Sequence, residues 1–304
     1  EYGVGALFKR GSRLQAAPSK NSTIDITAIL QSESRPLHHW TFLLLILLAI
    51  VVYYPGLSGD YMFDDTSNLL QNQALDMKTL DMDSLTDAAM SSGAGLLRRP
   101  VSMGSFALNR FFFGIDPFSH KVVNLVIHVL TGCLLYLFSH LLLAAYQQHR
   151  QPRLSVQAAL WIPVIVCGMW LVHPLNLTSV LYIVQRMTSL ATLFMVAGLC
   201  LYVVGRMQML RGRSGLSIIL VGLFCLGGLA ILSKENGILL PLYMLVIEFT
   251  VFRFQGANQN PDKSIITLFT LILAIPALFE IGRASCRERG LFGVGGGWVG
   301  GGGG

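Results

Sequence analysis

The sequence predicts an all-α polytopic membrane protein, with about seven transmembrane helices and a long, partly helical first outer loop. Three observations carry that prediction. Of 304 residues, 53% are hydrophobic and only 12% are charged, where an average soluble domain is about a quarter charged. Mean hydropathy is +0.59. The apolar residues gather in runs whose length approaches the ~20 residues that cross a hydrocarbon core. Such a composition excludes a disordered chain, a nucleic-acid-binding domain and most soluble enzymes, so no nucleic-acid partner is expected. The net charge of +6, from 22 basic and 16 acidic residues, is spread over alternating loops and reports topology. Five cysteines, at 133, 167, 200, 225 and 286, form no CxxC pair, and four lie inside apolar runs. They read as small core residues, with neither a disulfide framework nor a zinc site implied.

The first run, Trp40–Tyr54, carries aromatic residues at both ends, where an interfacial belt sits. Six more follow: Lys121–Tyr146, Ala158–Val172, Thr188–Gly205, Leu216–Ser233, Gly237–Phe252 and Ile265–Phe279. Some are short for a full span, so flanking residues contribute or the helices pair closely. Basic residues then set direction. Lys9, Arg10, Arg13, Lys20 and Arg35 precede the first run, and Arg150 and Arg153 follow the second. Arg206, Arg211 and Arg213 follow the fourth, and Arg253 and Lys263 the sixth. The positive-inside rule puts these loops, and residues 1–39, in the cytoplasm. The segment Gly59–Pro117 carries eight aspartates against four basic residues, which puts it on the outer side.

That outer loop is long enough for its own small structure. It opens with Asp60 and the adjacent pair Asp64-Asp65. Two carboxylates just above a membrane suit general-base catalysis or metal binding, because partial drying raises a carboxylate's basicity. Followed by Thr66 and Ser67, the pair also makes a plain helix cap. Arg98-Arg99-Pro100 comes next, then the aromatic stretch Met103–Phe113, which reads as an interfacial helix or as packing beneath the loop. His120, Asn124 and His128 recur every fourth residue, on one face of a helix. Polar groups so placed mark function or hydrogen-bond helix to helix.

Two further clusters fall at outer ends of spans: His173-Pro174 with Gln185-Arg186, and Lys234-Glu235 in a minimal turn. Basic residues are disfavoured there, yet Arg98, Arg99, Arg186 and Lys234 all occupy that side. An anionic ligand at the outer leaflet accounts for the four together, since Arg forks onto phosphate and Lys binds it as a point charge. Taken singly, a Lys234–Glu235 contact and a snorkelling Arg186 explain them as well.

The two ends are set aside. Residues 280–304 hold 11 of the 31 glycines, and Glu280–Arg289 resembles the translation of a common DNA-sequencing adapter. The segment is read as a non-native tail. With Glu1 in place of an initiating Met, further native sequence is expected on both sides.

In this order the motifs resemble those of GT-C glycosyltransferases that use polyprenyl-phosphate sugars. The similarity is to the transmembrane and tetratricopeptide-repeat-containing O-mannosyltransferases and their bacterial relatives. It is carried by GDYMFDDTSNL, RRPVSMGSFALNRFFFGIDPFSHKVVNLVIH, LVHPLNLTSVLYIVQR and LSKENGILLP, within residues 40–279. No ~34-residue helical repeat is present. The resemblance implies a GT-C-like transmembrane domain over 40–279, and sugar transfer at the outer face, periplasmic or luminal. It implies a dolichyl- or undecaprenyl-phosphate sugar donor, a protein or glycan hydroxyl as acceptor, and contact with membrane lipids. Asp64 or Asp65 would act as the base. Arg98, Arg99, Arg186 and Lys234 would hold the donor phosphate and stabilise the leaving group. His120, Asn124, His128, His173, Gln185 and Glu235 would support them. Some GT-C enzymes place a divalent cation (Mg or Mn) at such an acidic pair. With only Asp60 and Glu235 to add to it, no tightly bound metal is expected. The wording of the motifs points to a bacterial inner membrane, or to the endoplasmic reticulum if the source is eukaryotic.

Two other classes remain open on the sequence. A transporter or lipid flippase would use His128 and Asn124 as a substrate path. A non-catalytic envelope assembly protein would need no acidic pair facing a basic cluster. The position of Asp64 and Asp65 relative to Arg186 and Lys234 discriminates them.

Overall fold

A computed structural model describes residues 36–274 apart from 94, 96, 151–153, 258 and 259. The basic residues before position 36, Arg153, the end of the seventh expected span and the tail 280–304 lie outside the described residues. The chain is an all-α polytopic membrane protein. Among the described residues five helices are long and apolar enough to cross a membrane: Leu37–Gly56, Pro117–Gln148, Ile183–Leu210, Leu216–Ser233 and Glu235–Phe252. Val156–Leu171 and Pro174–Leu181 meet at 50° and form either a broken sixth span or a re-entrant loop. The shorter apolar helix Lys263–Ala274 begins the seventh expected span.

We number the helices α1 (Pro36–Tyr53), α2 (Met82–Ala89), α3 (Pro100–Phe113), α4 (Pro117–Arg150), α5 (Val156–Leu171), α6 (Leu177–Leu181), α7 (Arg186–Leu210), α8 (216–233), α9 (235–252) and α10 (263–274). α1 is apolar all round. Leu44, Val51 and Val52 on it are well over half or about half exposed, which suits a lipid-facing surface. Its inner side packs Phe42, Ala49 and Tyr53 on Leu125 of α4 and on Cys167 and Leu171 of α5. Within lipid there is no hydrophobic drive between helices, so close approach through small residues decides the packing. Gly168 shows this, because a Cβ there would lie 2.6 Å from Leu45 Cδ1. Gly198 of α7 and Gly222 of α8 show it again. A Cβ on either would come within 3.0–3.1 Å of the other's carbonyl oxygen.

α7 is the central helix, with half of its most apolar window buried. Toward its far end it packs Tyr202, Val203 and Met207 with Ile219 of α8, Phe252 of α9 and Phe269 of α10. There Arg206 is fully buried. It donates to Glu248 Oε2 and Oε1 at 2.9 and 2.8 Å and to the Gln255 carbonyl at 2.9 Å, and Tyr202 also donates to Glu248. Arg206 is therefore an internal ion-pair partner and not a loop charge, a correction to the topology count above. A buried charge is tolerated only with such pairing.

The 57–116 loop forms a second small core outside the bundle. Leu69, Leu75, Ala88 and Met103 gather around Phe106 and meet Ile183 from the bundle. Here the driving force is ordinary removal of apolar surface from water. α2 starts at Asp81, whose Oδ1 accepts the Ser84 N–H at 2.8 Å, as an N-cap carboxylate does. α3 starts with Pro100 at a position where no N–H is needed, and ends at Gly114 with φ +73°. Two ties fasten α3. Arg110 donates to the Leu69 carbonyl at 2.8 Å and to Asp76 Oδ2 at 2.9 Å. Ser102 Oγ donates to the Ser233 carbonyl at 2.8 Å, joining the loop to the end of α8.

Candidate functional site

The two adjacent aspartates behave differently. Asp65 is fully buried, and its Oδ2 accepts the Met62 N–H at 3.0 Å while Oδ1 accepts the Val184 N–H at 2.7 Å. Burial raises its carboxyl above the usual range. The backbone hydrogen bonds and the nearby Lys121 charge pull the other way. Asp65 is thus a bracket between the loop and the turn before α7. Asp64 is exposed. Its backbone N–H donates to Tyr182 Oη at 3.1 Å, and its carbonyl accepts from Asn68 at 2.9 Å. Partial burial raises the Tyr182 hydroxyl's pKa, with the Asp64 and Asp65 charges pushing the same way. Of the pair, Asp64 is the exposed carboxylate, beside the Tyr182 hydroxyl.

Lys121 escaped the sequence reading, which used it only as the edge of a span. It is 2% exposed, and its Nζ donates to the carbonyls of Gly59 at 2.6 Å and of Gly56 and Asp60 at 3.4 Å. The ammonium staples the chain just before the aspartates. A lysine at the first turn of an apolar helix was the available signal. Asp60 is exposed beside it.

The helical face His120–Asn124–His128 is buried as a unit, but its members have separate partners. His120 Nδ1 pairs with the Asp116 carbonyl at 2.9 Å, and its ring stacks on Phe106. Asn124 Nδ2 donates to the carbonyls of Val180 and Ile183 at 3.2 and 3.3 Å. His128 Nε2 pairs with the Leu171 carbonyl at 2.9 Å, and its ring stacks on Trp170 at 4.6 Å.

Arg186 does not sit at the surface. It is fully buried, and its Nε donates to Asn124 Oδ1 at 2.7 Å. Its other nitrogens donate to Asn109 Oδ1 at 2.7 Å, the His120 carbonyl at 2.8 Å and the Ser105 carbonyl at 3.2 Å. The guanidinium also lies 4.5 Å from the Phe106 ring centroid. This fork is spent on joining α3, α4 and α7, which corrects the expectation that Arg186 holds a donor phosphate. Asn109, which completes the fork, gave no signal in the sequence.

The remaining cations gather at the α8–α9 turn. Arg99 Nη2 and Glu235 Oε2 form an ion pair at 2.9 Å, and Arg99 Nε donates to both Glu235 oxygens at 3.1 Å. Arg99 Nη1 reaches Met187 Sδ at 3.3 Å. Lys234 Nζ donates to Thr188 Oγ1 at 2.7 Å, and Thr188 donates to Gln185 Oε1 at 2.8 Å. Burial lowers the Lys234 pKa; Arg99 adds to this and Glu235 opposes it. Arg98 is exposed and donates to the Met90 carbonyl at 3.4 Å. Arg98 and Arg99 lie in the left-handed region, with φ of +57° and +50°. His173 is exposed and caps the turn after α5, its Nδ1 accepting the Leu175 N–H at 3.2 Å.

One stretch ties the site together. Tyr182 touches Asp64, Val184 holds Asp65, Met187 meets Arg99 and Thr188 meets Lys234. The exposed Asp64 and the cation cluster are thus fixed to the same turn and first helical turn. Among the described residues no group of three His, Cys, Asp or Glu side chains is placed to hold a metal ion.

A cleft of about 230 Å³ opens between α4, the broken span and α7, lined by His128, Thr131, Trp170, Asn176, Ser179, Thr188, Ser189 and Thr192. Only His128 among these was singled out from the sequence.

No family model and no solved structure matches the chain. Curated proteins do. A protein O-mannosyl-transferase of Caenorhabditis elegans is 24% identical over 238 residues, covering 77% of this chain and 30% of that protein. Protein O-mannosyl-transferase TMTC4 of Homo sapiens is 27% identical over 265 residues, 80% of this chain and 34% of its own. Human protein O-mannosyl-transferase TMTC2 is 27% identical over 211 residues, 67% and 23% respectively. The chain spans between about a quarter and a third of the length of these relatives. Its resemblance is to proteins named as protein O-mannosyl-transferases, and it extends over most of the described bundle.

Proposed function

We propose that this chain is a membrane glycosyltransferase that moves a sugar from a polyprenyl-phosphate donor to a protein or glycan hydroxyl at the outer face of the membrane. The similarity to proteins named O-mannosyl-transferases supports the reaction class. The observation that carries the reading is the attachment of Asp64 and of Lys234 to one segment, through Tyr182 and Thr188. A base and a cation are the two groups such a transfer needs on either side of the sugar.

In the proposed step Asp64 accepts the acceptor hydroxyl proton as its oxygen bonds to the anomeric carbon. The bond from that carbon to the phosphate oxygen breaks, and its electron pair leaves with the polyprenyl phosphate. Lys234 faces that developing charge, with Arg98 on the same rim. Arg99 is already neutralised by Glu235 and orients the turn. Asp65, Lys121 and Arg186 act through the backbone that they hold. Asp60 and His173 are exposed and Gln185 is half-buried, its Oε1 accepting from Thr188.

A second reading draws on the 50° break between α5 and the Pro174–Leu181 segment, because transporters use broken spans. The test is transfer of a labelled sugar from a polyprenyl-phosphate donor by the full chain in lipid nanodiscs. Transfer by the wild type that is lost in Asp64→Asn is the expected result. Movement of the intact donor between leaflets, with no transfer by the wild type, would move the assignment to transport.

A further inference from the structure

The cleft beside His128 lies apart from the acidic pair and is built unlike an anion site. None of its lining side chains is a carboxylate, lysine or arginine. Four of its five hydroxyls spend their protons on the protein: Thr131 on the Ile127 carbonyl, Thr188 on Gln185 Oε1, Ser189 on the Ser179 carbonyl and Thr192 on the Thr188 carbonyl. Asn176 uses one Nδ2 N–H on the Trp170 carbonyl at 2.7 Å, leaving its second N–H and its Oδ1. What the cleft offers a ligand is therefore mostly lone pairs and no charge, with the Ser179 hydroxyl, the Trp170 indole N–H and the second Asn176 N–H as its donors. Lone pairs repel phosphate and carboxylate oxygens and accept from O–H groups. One wall is apolar and flat, the Trp170 ring stacked on His128 at 25°. A ligand that donates several O–H bonds from its edge and lays a C–H face on an aromatic ring is a pyranose. At about 230 Å³ the cleft falls below the ~300–1,000 Å³ of sites for drug-sized molecules, which suits one ring and not two.

We infer that this cleft is a binding pocket for a single uncharged pyranose ring, entered from the side of Lys234. Thr188 sets the entrance: it lines the cleft, and its Oγ1 accepts from Lys234 Nζ at 2.7 Å. A ring seated inside would present an anomeric phosphate ester to that ammonium. This orientation rests on the transferase reading; the pocket itself does not.

The test labels the full chain in nanodiscs, as the variant Ser179→Cys, with a small neutral maleimide. The wild type gives the background from its own cysteines, and Thr192→Cys replaces the variant if Ser179→Cys does not fold. Methyl α-mannoside, α-glucoside and α-galactoside compete at millimolar concentration, and inorganic phosphate is the control. At least one glycoside should slow labelling severalfold, and phosphate should not. Adding Thr131→Val to either cysteine variant should weaken that protection by about fivefold, the loss of one hydrogen bond. No protection by any glycoside, or equal protection by phosphate, overturns the inference. Protection in a chain that transfers no sugar leaves the pocket standing and removes the transferase reading. Transfer without protection does the reverse.

Discussion

Asp65 Oδ1 accepts the Val184 N–H at 2.7 Å across 119 residues of sequence, and this one bond fixes the loop to the turn that opens α7. The same carboxylate accepts the Met62 N–H, so it cannot be exchanged for an amide without facing a donor with a donor. Asp65→Asn should therefore cost about 1–3 kcal/mol, the penalty of a buried group left unpaired. Thermal unfolding of the detergent-solubilised chain measures this. Asp64→Asn should leave the unfolding temperature unchanged and reduce transfer by about 10²–10⁴-fold, the contribution of a general base. Equal loss of stability in both variants would sink the division of labour.

Stability should also carry an Asp65 signature in pH. Burial raises this carboxyl's pKa, so the folded chain binds the proton more tightly than the unfolded one. Its contribution is complete below the ordinary value of about 3.9 and is lost as pH rises through the raised folded value. In the Asp65→Asn variant that downward slope should disappear, as read from unfolding temperature against pH.

Lys234 gives a second titration, visible in donor use. Its pKa lies below the ordinary lysine range, so its charge is lost at lower pH than an exposed lysine loses it. Donor KM should rise with pH through that range, while Lys234→Arg should hold KM flat over the same interval. A wild-type KM that does not vary with pH would detach Lys234 from the donor.

The Arg186 fork makes a prediction that separates scaffolding from ligand binding. Arg186→Ala strands the carboxamide oxygens of Asn109 and Asn124 and two carbonyls. We expect loss of folded protein, at about 1–3 kcal/mol per stranded group. Arg186→Lys should not restore it, because a point ammonium cannot span that fork. A well-folded Arg186→Ala chain with a raised donor KM would return this residue to the binding site.

At the opposite end, Glu248→Ala should destabilise by about 3–5 kcal/mol, because it leaves the buried Arg206 with only the longer Asp262 contact at 3.4 Å. The double variant Arg206→Met with Glu248→Leu should recover most of that loss. Measured against Glu248→Ala by unfolding, no recovery would show that Tyr202 and Gln255 depend on the ion pair for their own packing.

The bundle was legible from hydropathy because apolar runs of span length have few other uses. The break after α5 was not: Val156–Leu171 and Pro174–Leu181 are both apolar, and only His173-Pro174 marks the bend. At the site, residue type was readable and exposure was not. Asp64 and Asp65 are chemically identical neighbours, and which one turns inward is set by Val184, far away in sequence. Arg186 misled for the same reason, since its partners Asn109 and Asn124 come from two other helices. The cleft was invisible because Ser, Thr and Asn in an apolar helix give the same pattern whether or not they border a void.

The two left-handed arginines before Pro100 have an evolutionary consequence. A side chain in that conformation costs about 1 kcal/mol or more that glycine would not incur. A mutational library selected for folding alone should drift to glycine at 98 and 99, whereas one selected for activity should retain the guanidinium at 99 that meets Glu235. Divergence between the two pools would measure, position by position, how much steric discomfort natural selection has accepted for the sake of charge.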